Sequence, residues 1–237
     1  MTPWCPVDGG WGEWTSWSGC SSSCTACTHT RRRTYSPPLH GGHEGEGREE
    51  GEQEEEGCCV GNSGDSNPIG VGWKTVFNKP EEHGLVKGTS LGTLCILGKE
   101  WRLTHDFKPT EYLSRYTGGL QLTIGGNGGY GYRTPLIQPS TKTLGKMHIS
   151  LAVNGEDNYK LKADQPPVGA WSTIAVSQLL EDGKYMCRIF IDGQEVDAVE
   201  NSQPEEFPNV RVYASGPKFA AQPGSIRKLV IETRVEE

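Results

Sequence analysis

The sequence lacks the features of several large protein classes. No stretch approaches the roughly 18 consecutive apolar residues that a membrane-spanning helix needs, so no span is expected in this segment. The formal net charge is -7, and we expect no nucleic-acid partner, because phosphate neutralisation needs a net basic surface. No Asn-X-Ser/Thr sequence occurs, so N-glycosylation is not expected either.

The signatures of common catalytic and metal sites are also missing. No G-x-S-x-G nucleophile elbow occurs, and the glycine run Gly125 to Gly129 is followed by neither a helix pattern nor a lysine that would cradle phosphate. The cysteines do not have the spacing of a zinc ribbon or finger. We therefore expect no metal site and no cofactor. Met1 leads into Thr2 without an apolar signal region, and we expect a fragment of a longer secreted or membrane-anchored protein.

Cysteine is concentrated at one end of the chain. Six of the eight cysteines precede residue 60, namely Cys5, Cys20, Cys24, Cys27, Cys58 and Cys59. That density is typical of a small disulfide scaffold, which buries too little apolar surface to fold without bridges. An oxidising, extracellular location follows. Six cysteines allow 15 pairings, and the sequence does not choose among them. One arrangement joins Cys5 to Cys27, and Cys20 and Cys24 to Cys58 and Cys59.

The segment Trp11 to Arg33 reads WGEWTSWSGCSSSCTACTHTRRR and spaces three tryptophans three residues apart. Its many glycines, serines and threonines disfavour a helix. Indole faces attract guanidinium groups by about 0.5 to 2 kcal/mol per contact, so a chain that turns back places the arginines beside the tryptophans. These residues resemble the thrombospondin type 1 repeat. The resemblance implies three antiparallel strands and a ladder of stacked side chains. The expected ladder residues are Trp11, Trp14, Trp17, His29, Arg31 and Arg33.

The same resemblance implies modification and binding. The W-x-x-W spacing marks Trp11 and Trp14 for C-mannosylation, and C-S-S-S-C marks Ser23 for O-fucose. The guanidinium edges of the ladder would meet sulfate or carboxylate groups of glycosaminoglycans, although a purely structural ladder is an equal alternative. The chain departs from the family at Tyr35 and near His43, where the family has a third and a fourth cysteine. Because both cysteines are absent together, we expect that one whole disulfide bridge of the family is missing.

The composition changes between residues 43 and 70. Eight glutamates and many glycines lie in 43–57, which we interpret as a solvated acidic loop of the repeat, residues 1–59. Turn formers then make a linker over 60–70. From residue 71 to 237 short apolar runs alternate with period two, and the pairs Asn154-Gly155, Asp182-Gly183 and Asp192-Gly193 are hairpin signals. The predicted fold is all-β: a three-stranded repeat, then a two-sheet β-sandwich of jelly-roll type.

A second resemblance supports this sandwich. The run GAWSTIAVSQLLEDGKYMCRIFIDGQEV, residues 169–196, resembles laminin G-like and other concanavalin A-like jelly rolls. The cysteines Cys95 and Cys187 are predicted to form a bridge between neighbouring strands, with two buried thiols as the alternative.

One motif suggests an enzyme. The run EVDAVE resembles the E-x-D-x-x-E signature of retaining jelly-roll glucanases, with Glu195, Asp197 and Glu200 as its carboxylates. Retaining glycosidases need two carboxylates about 5 to 5.5 Å apart, which one bulged strand can supply. However, the run directly follows the Asp192-Gly193 turn and leads into Asn201 and Pro204, a loop-like context.

We therefore interpret the chain as a secreted, non-enzymatic adhesion or matrix protein. Both resembled families bind glycans or proteins, so the expected partners are extracellular proteins and glycosaminoglycan or other carbohydrate. The alternative is a secreted β-glucanase-like hydrolase that uses the EVDAVE segment.

Overall fold

The structure is a computed structural model that describes residues 10–11, 28–36, 52–58, 72–125, 128–142 and 145–235. The chain divides into two compact units, Met1–Gly61 and Asn62–Glu237. No helix in the described ranges is long and apolar enough to cross a membrane.

Three strands are described in the first unit: β1 (Gly10–Trp11), β2 (Thr28–Ser36) and β3 (Glu52–Cys58). They form an antiparallel sheet in the order β1-β2-β3, with Trp11 opposite Tyr35. The segment that we expected to be an acidic loop is therefore a strand over its second half.

The cross-strand register explains this correction. Arg31 lies opposite Glu55, and Arg32 lies opposite Glu54. Opposite charges at directly opposed positions stabilise a strand pair by about 0.2 to 1 kcal/mol. Considered without the basic strand, the glutamates of 43–57 are expected to repel one another. In the register of the sheet, positions of the acidic segment lie opposite arginine positions of β2.

The second unit contains fifteen described strands, which form two large sheets and a short parallel pair. In chain order they are β4 (Gly72–Lys79), β5 (His83–Gly84), β6 (Ser90–Leu97), β7 (Trp101–Pro109), β8 (Thr117–Gly118), β9 (Gln121–Thr123), β10 (Leu136–Gln138), β11 (Lys146–Val153), β12 (Glu156–Asp164), β13 (Ser172–Glu181), β14 (Lys184–Ile191), β15 (Gln194–Asn201), β16 (Phe207–Tyr213), β17 (Ala220–Ala221) and β18 (Gly224–Val235).

The six-stranded sheet has the order β12-β11-β10-β9-β16-β6. The seven-stranded sheet has the order β15-β14-β13-β7-β18-β4, and β5 also pairs with β18. The remaining strands, β8 and β17, pair in parallel. The fold is thus an all-β sandwich, as the alternating pattern predicts.

The hairpin signals act as expected. Asn154, Asp182 and Asp192 all adopt positive φ, at 54°, 49° and 51°. Tight two-residue turns need this conformation, which asparagine, aspartate and glycine tolerate. These turns join β11 to β12, β13 to β14, and β14 to β15. The predicted hairpins are confirmed.

The apolar faces of the two sheets meet in one core. Leu122 and Ile149 come from the six-stranded sheet, and Leu103 and Val176 come from the seven-stranded sheet; all four are fully buried. Alternate residues of the same strands point away from this core. The outward faces are consequently where binding residues can lie.

The predicted bridge between Cys95 and Cys187 is absent, because Cys187 carries a free thiol. Cys95 lies in β6 of the six-stranded sheet, whereas Cys187 lies in β14 of the seven-stranded sheet, so their strands are not neighbours. The Cys187 thiol donates to Gln178 Oε1 at 3.3 Å. Burial raises the pKa of this thiol to about 12.

Cys187 is therefore expected to resist alkylation in the folded protein. The thiolate is the reactive form, and with a pKa of about 12 only about one thiol in ten thousand is ionised at pH 8. Peptide mapping after iodoacetamide treatment should find Cys187 unmodified in native protein and modified after unfolding without reductant. Rapid labelling of native protein, or recovery of Cys187 as a half-cystine, would contradict the buried thiol.

Candidate functional site

Side chains on the outward face of the six-stranded sheet form rows across its strands. Lys160 lies opposite Ser150, Ser150 opposite Leu136, and Leu136 opposite Gln121. Gln121 lies opposite Tyr213 in β16. Directly opposed residues of antiparallel strands share one face, so this register makes one continuous row from β12 to β16.

A cleft of about 410 Å³ lies at the β9 and β16 end of this row. Its lining combines amide, hydroxyl, aromatic and cationic side chains: Gln121, Thr123, Gly125, Tyr132, Arg211, Tyr213, Pro217 and Lys218.

Strand alternation places the lining residues. Leu122 and Val212 are fully buried in the core, so their neighbours in β9 and β16 point outward. Pairing then places Arg211 opposite Thr123. The cleft floor is therefore built by two strands that are adjacent in space but far apart in the chain.

Tyr132 forms a wall of the cleft and is held from two sides. Gln121 Nε2 donates to the Tyr132 carbonyl oxygen at 3.1 Å. The Lys218 ammonium lies 5.7 Å from the Tyr132 ring centroid, and the Arg133 guanidinium lies 5.0 Å from it. Arg133 also forms an ion pair with Asp157, at 3.4 Å. The aromatic wall is thus fixed before any ligand arrives.

The cleft carries positive charge without a neutralising carboxylate. Within the described residues, neither Arg211 nor Lys218 has a carboxylate within 4 Å, and no aspartate or glutamate lines the cleft. By contrast, three arginines of the seven-stranded sheet are paired: Arg102 with Glu232, Arg188 with Glu181 and Glu195, and Arg227 with Asp106. Unpaired cations beside an aromatic wall suit an anionic or hydroxyl-rich ligand.

The three carboxylates of the glucanase-like motif lie in the edge strand β15, and each has a structural partner. Glu195 pairs with Arg188 at 2.6 Å, and Glu200 pairs with Lys184 at 2.8 Å. Asp197 Oδ2 accepts the backbone N–H of Lys162 at 3.0 Å. The strand is bulged at this point, as the motif requires. Its carboxylates are nevertheless engaged in contacts that stabilise the sheet edge.

A larger groove, of about 580 Å³, lies where the edge strands β12 and β15 meet. Its charged groups mostly satisfy one another: Lys146 pairs with Asp164, and Glu195 pairs with Arg188. Asp192 accepts the Thr173 N–H at 2.8 Å. This groove therefore offers a ligand fewer unpaired groups than the cleft.

The sites predicted in the first unit are placed only as backbone. Trp11 lies in β1, and His29, Arg31 and Arg33 occupy alternate positions of β2. Cys58 ends β3. The expected stacking, the modifications and the disulfides of this unit lie outside the described residues; these concern Trp14, Trp17, Ser23, Cys5, Cys20, Cys24, Cys27 and Cys59.

No family profile matches the chain, and no curated protein matches it significantly. Among solved structures, it is similar to the binding domain of botulinum neurotoxin serotype D, with 11% identity, a TM-score of 0.46, and coverage of 70% of this chain and 43% of that one. The chain thus spans less than half of that domain.

It is also similar to the CBM40 domain of the Ruminococcus gnavus IT-sialidase bound to α2,3-sialyllactose, at 12% identity and TM-score 0.40, covering 67% and 94% of the two chains. A third similar structure is the leech intramolecular trans-sialidase, at 14% identity and TM-score 0.42, covering 68% and 27%. The identities and TM-scores of these similarities are low, and the fold class of this chain rests on its own strand pairing.

Proposed function

We propose that this chain is a secreted, non-enzymatic protein that binds glycans through the cleft at β9 and β16. The observation that carries the proposal is the cleft lining, in which Arg211 and Lys218 stand without carboxylate partners beside Tyr132 and Tyr213. Aromatic rings pack against the apolar faces of sugars, while guanidinium groups, amides and hydroxyls fix the hydroxyl and acidic groups.

The proposal includes the two-part organisation inferred from the sequence. The first unit would be a thrombospondin type 1-like repeat and the second a laminin G-like sandwich, both acting in adhesion or in the extracellular matrix. The cysteine density before residue 60 supports the secreted location. The structural partners of Glu195, Asp197 and Glu200 support a binding role over β-glucan hydrolysis.

Replacing Arg211 with alanine is expected to weaken glycan binding by about 10- to 100-fold, because a hydrogen bond to a charged group contributes about 1.5 to 3 kcal/mol. The measurement is a glycan array of neutral and acidic oligosaccharides with the intact chain, followed by titration of the best ligand. The variant Arg211→Ala should lose that ligand and keep a native circular dichroism spectrum.

Arg102→Ala is the matched control. Arg102 lies in β7 of the opposite sheet, where it pairs with Glu232 and packs 4.7 Å from the Trp73 ring centroid. The Arg102→Ala substitution removes the same charge as Arg211→Ala but should leave glycan affinity unchanged. Absence of binding across the array, or equal losses in both variants, would refute the cleft as the site. Release of sugar from β-glucans would favour the hydrolase instead.

A further inference from the structure

We infer that Asn154 is a deamidation site controlled by a latch between the two sheets: the closed latch suppresses the reaction, and an open latch permits it. Asn154 and Gly155 form the exposed tight turn between β11 and β12. An asparagine followed by glycine is the sequence most prone to spontaneous deamidation, because glycine has no side chain to hinder attack by its backbone nitrogen.

Deamidation at this turn begins with closure of a ring. The Gly155 backbone nitrogen attacks the Asn154 side-chain carbon Cγ and loses its proton, and the side-chain nitrogen leaves as ammonia. The product is a succinimide. Water then opens the ring at either carbonyl and gives aspartate or isoaspartate at position 154. The reaction consumes only water, so its rate depends on how often Cγ can approach the Gly155 nitrogen.

Both polar atoms of the Asn154 side chain are held by residues at the end of β15. Its Nδ2 donates to the Glu200 carbonyl oxygen at 3.0 Å. Its Oδ1 accepts from the Ser202 N–H at 2.6 Å and from the Ser202 hydroxyl at 2.9 Å. The Asn154 N–H in turn donates to Asn201 Oδ1 at 3.0 Å. These four hydrogen bonds are the latch, which joins the edge hairpin of one sheet to the edge strand of the other.

The latch is anchored in the core through Asn201, which is only 1% exposed. Asn201 Nδ2 donates to Gln178 Oε1 at 2.7 Å, and Gln178 is itself buried. Ring closure requires the Asn154 side chain to turn towards its own backbone, and that rotation breaks its hydrogen bonds to Glu200 and Ser202. Because those bonds stabilise the closed latch, the reactive rotamer is populated only when the latch opens.

The product of the reaction cannot rebuild the latch. An aspartate at position 154 lacks the Nδ2 donor, so its carboxylate would face the Glu200 carbonyl oxygen, acceptor against acceptor. Isoaspartate also adds a carbon to the backbone of a two-residue turn, and the length of that turn sets the register of β11 and β12. Deamidation would thus make a transient opening of this sandwich edge permanent.

The turn at Asp182 and Gly183 provides a matched comparison in the same molecule. Asp182 has φ at 49°, against 54° at Asn154, and the glycines that follow have φ at 80° and 78°. Among the residues that the structure describes, the Asp182 carboxylate has no hydrogen bond or ion pair. Asp182→Asn therefore creates an asparagine-glycine turn of the same conformation without a latch.

The test incubates the intact Asp182→Asn protein at mildly alkaline pH and follows both turns by peptide mapping. In the native protein, the substituted turn should deamidate at least about tenfold faster than Asn154, whose rate is reduced to the fraction of molecules with an open latch. In urea the two turns should react at similar rates.

Ser202→Ala, made in the same background, removes one latch bond and should speed deamidation of Asn154 about fivefold in the native protein. It should leave the substituted turn unchanged. Ser114→Ala changes an exposed serine between β7 and β8, and as the control it should alter neither rate.

Several outcomes would overturn the inference. Equal rates in the native protein, or no reaction at either turn, would show that the latch does not control the reaction. An Asn154 that stays unmodified in urea would remove the site itself. Hydrogen exchange of the purified deamidated protein gives a second readout, in which the Ser202 N–H should exchange faster than in unmodified protein. Unchanged exchange there would show that the product closes the latch again.

Discussion

Between pH 6.5 and about 4, the second unit is expected to lose about 3 kcal/mol of unfolding free energy through one histidine, His105. This residue lies in β7, is only 1% exposed, and has a buried Nδ1 without a partner among the described residues. Burial lowers its pKa from 6.5 to about 4, against a smaller opposing effect of Asp106.

The direction follows from where the proton binds more tightly. In the unfolded chain His105 has its ordinary pKa, whereas the folded chain resists protonation, so acid favours the unfolded chain. The stabilisation is complete above pH 6.5 and disappears as the pH falls through about 4. Urea unfolding at a series of pH values measures how the unfolding free energy changes with pH. His148 contributes in the same direction, because burial also lowers its pKa.

The variant His105→Leu separates this residue from other acid-sensitive groups. It should flatten the pH dependence between 6.5 and 4, whatever its effect on stability at neutral pH. If the unfolding free energy of His105→Leu depended on pH as it does in the wild type, the buried imidazole would not be the source of the pH dependence.

Replacing Gly224 with alanine is expected to destabilise the sandwich by about 3 kcal/mol or more, from backbone strain and overpacking together. Gly224 begins β18 with φ at 146°, a conformation that residues with a Cβ rarely adopt. A Cβ there would overlap the Lys108 carbonyl oxygen and lie 3.0 Å from Pro109 Cα. Both are backbone atoms of the paired strand β7 and cannot turn aside.

Gly72→Ala is the matched control, because Gly72 begins β4 with a similar φ, at 142°, but a Cβ there meets nothing within 4 Å. It carries the strain without the collision and should cost about 1 to 3 kcal/mol. Thermal unfolding of both variants gives the comparison. Equal losses of stability in the two variants would show that backbone strain alone, and not the close approach of β7, requires glycine at position 224.

The strands and tight turns of the sandwich were predictable because their causes are local. Alternation over Lys146 to Val153 matches β11 residue for residue, and the Asp182-Gly183 turn has its expected conformation. Strand β10 was not predicted, since three residues of Leu136–Gln138 are too few for a period to show. It completes the sheet through pairing on both sides.

The cleft could be predicted only in part. Alternation alone marks Gln121 and Thr123 as outward in one strand, and Arg211 and Tyr213 as outward in another. What the sequence does not reveal is that β9 and β16, almost ninety residues apart, are neighbours. Long-range pairing depends on the packing of the whole sheet, so binding residues that are assembled by topology remain hidden among ordinary exposed positions.

Tryptophan stacking with cations occurs in the sandwich as well as being predicted for the first unit. It was predicted for the first unit, whose side chains lie outside the described residues. In the sandwich it is present: the Arg227 guanidinium lies 4.1 Å, and the Lys108 ammonium 4.7 Å, from the Trp171 ring centroid. No local sequence pattern indicates this stack, because Lys108, Trp171 and Arg227 come from separate segments.

The contact between Asp197 and the Lys162 N–H also affects how this protein meets copies of itself. Strand β12 is an edge of its sheet, and an edge with free N–H groups can accept a strand from another molecule. Asp197 occupies one of those donors with a negatively charged oxygen at 3.0 Å. An incoming strand would have to displace this carboxylate and bring its own carbonyl oxygen close to it. This one contact of the motif that resembles a catalytic signature thus disfavours strand addition at Lys162 on this edge.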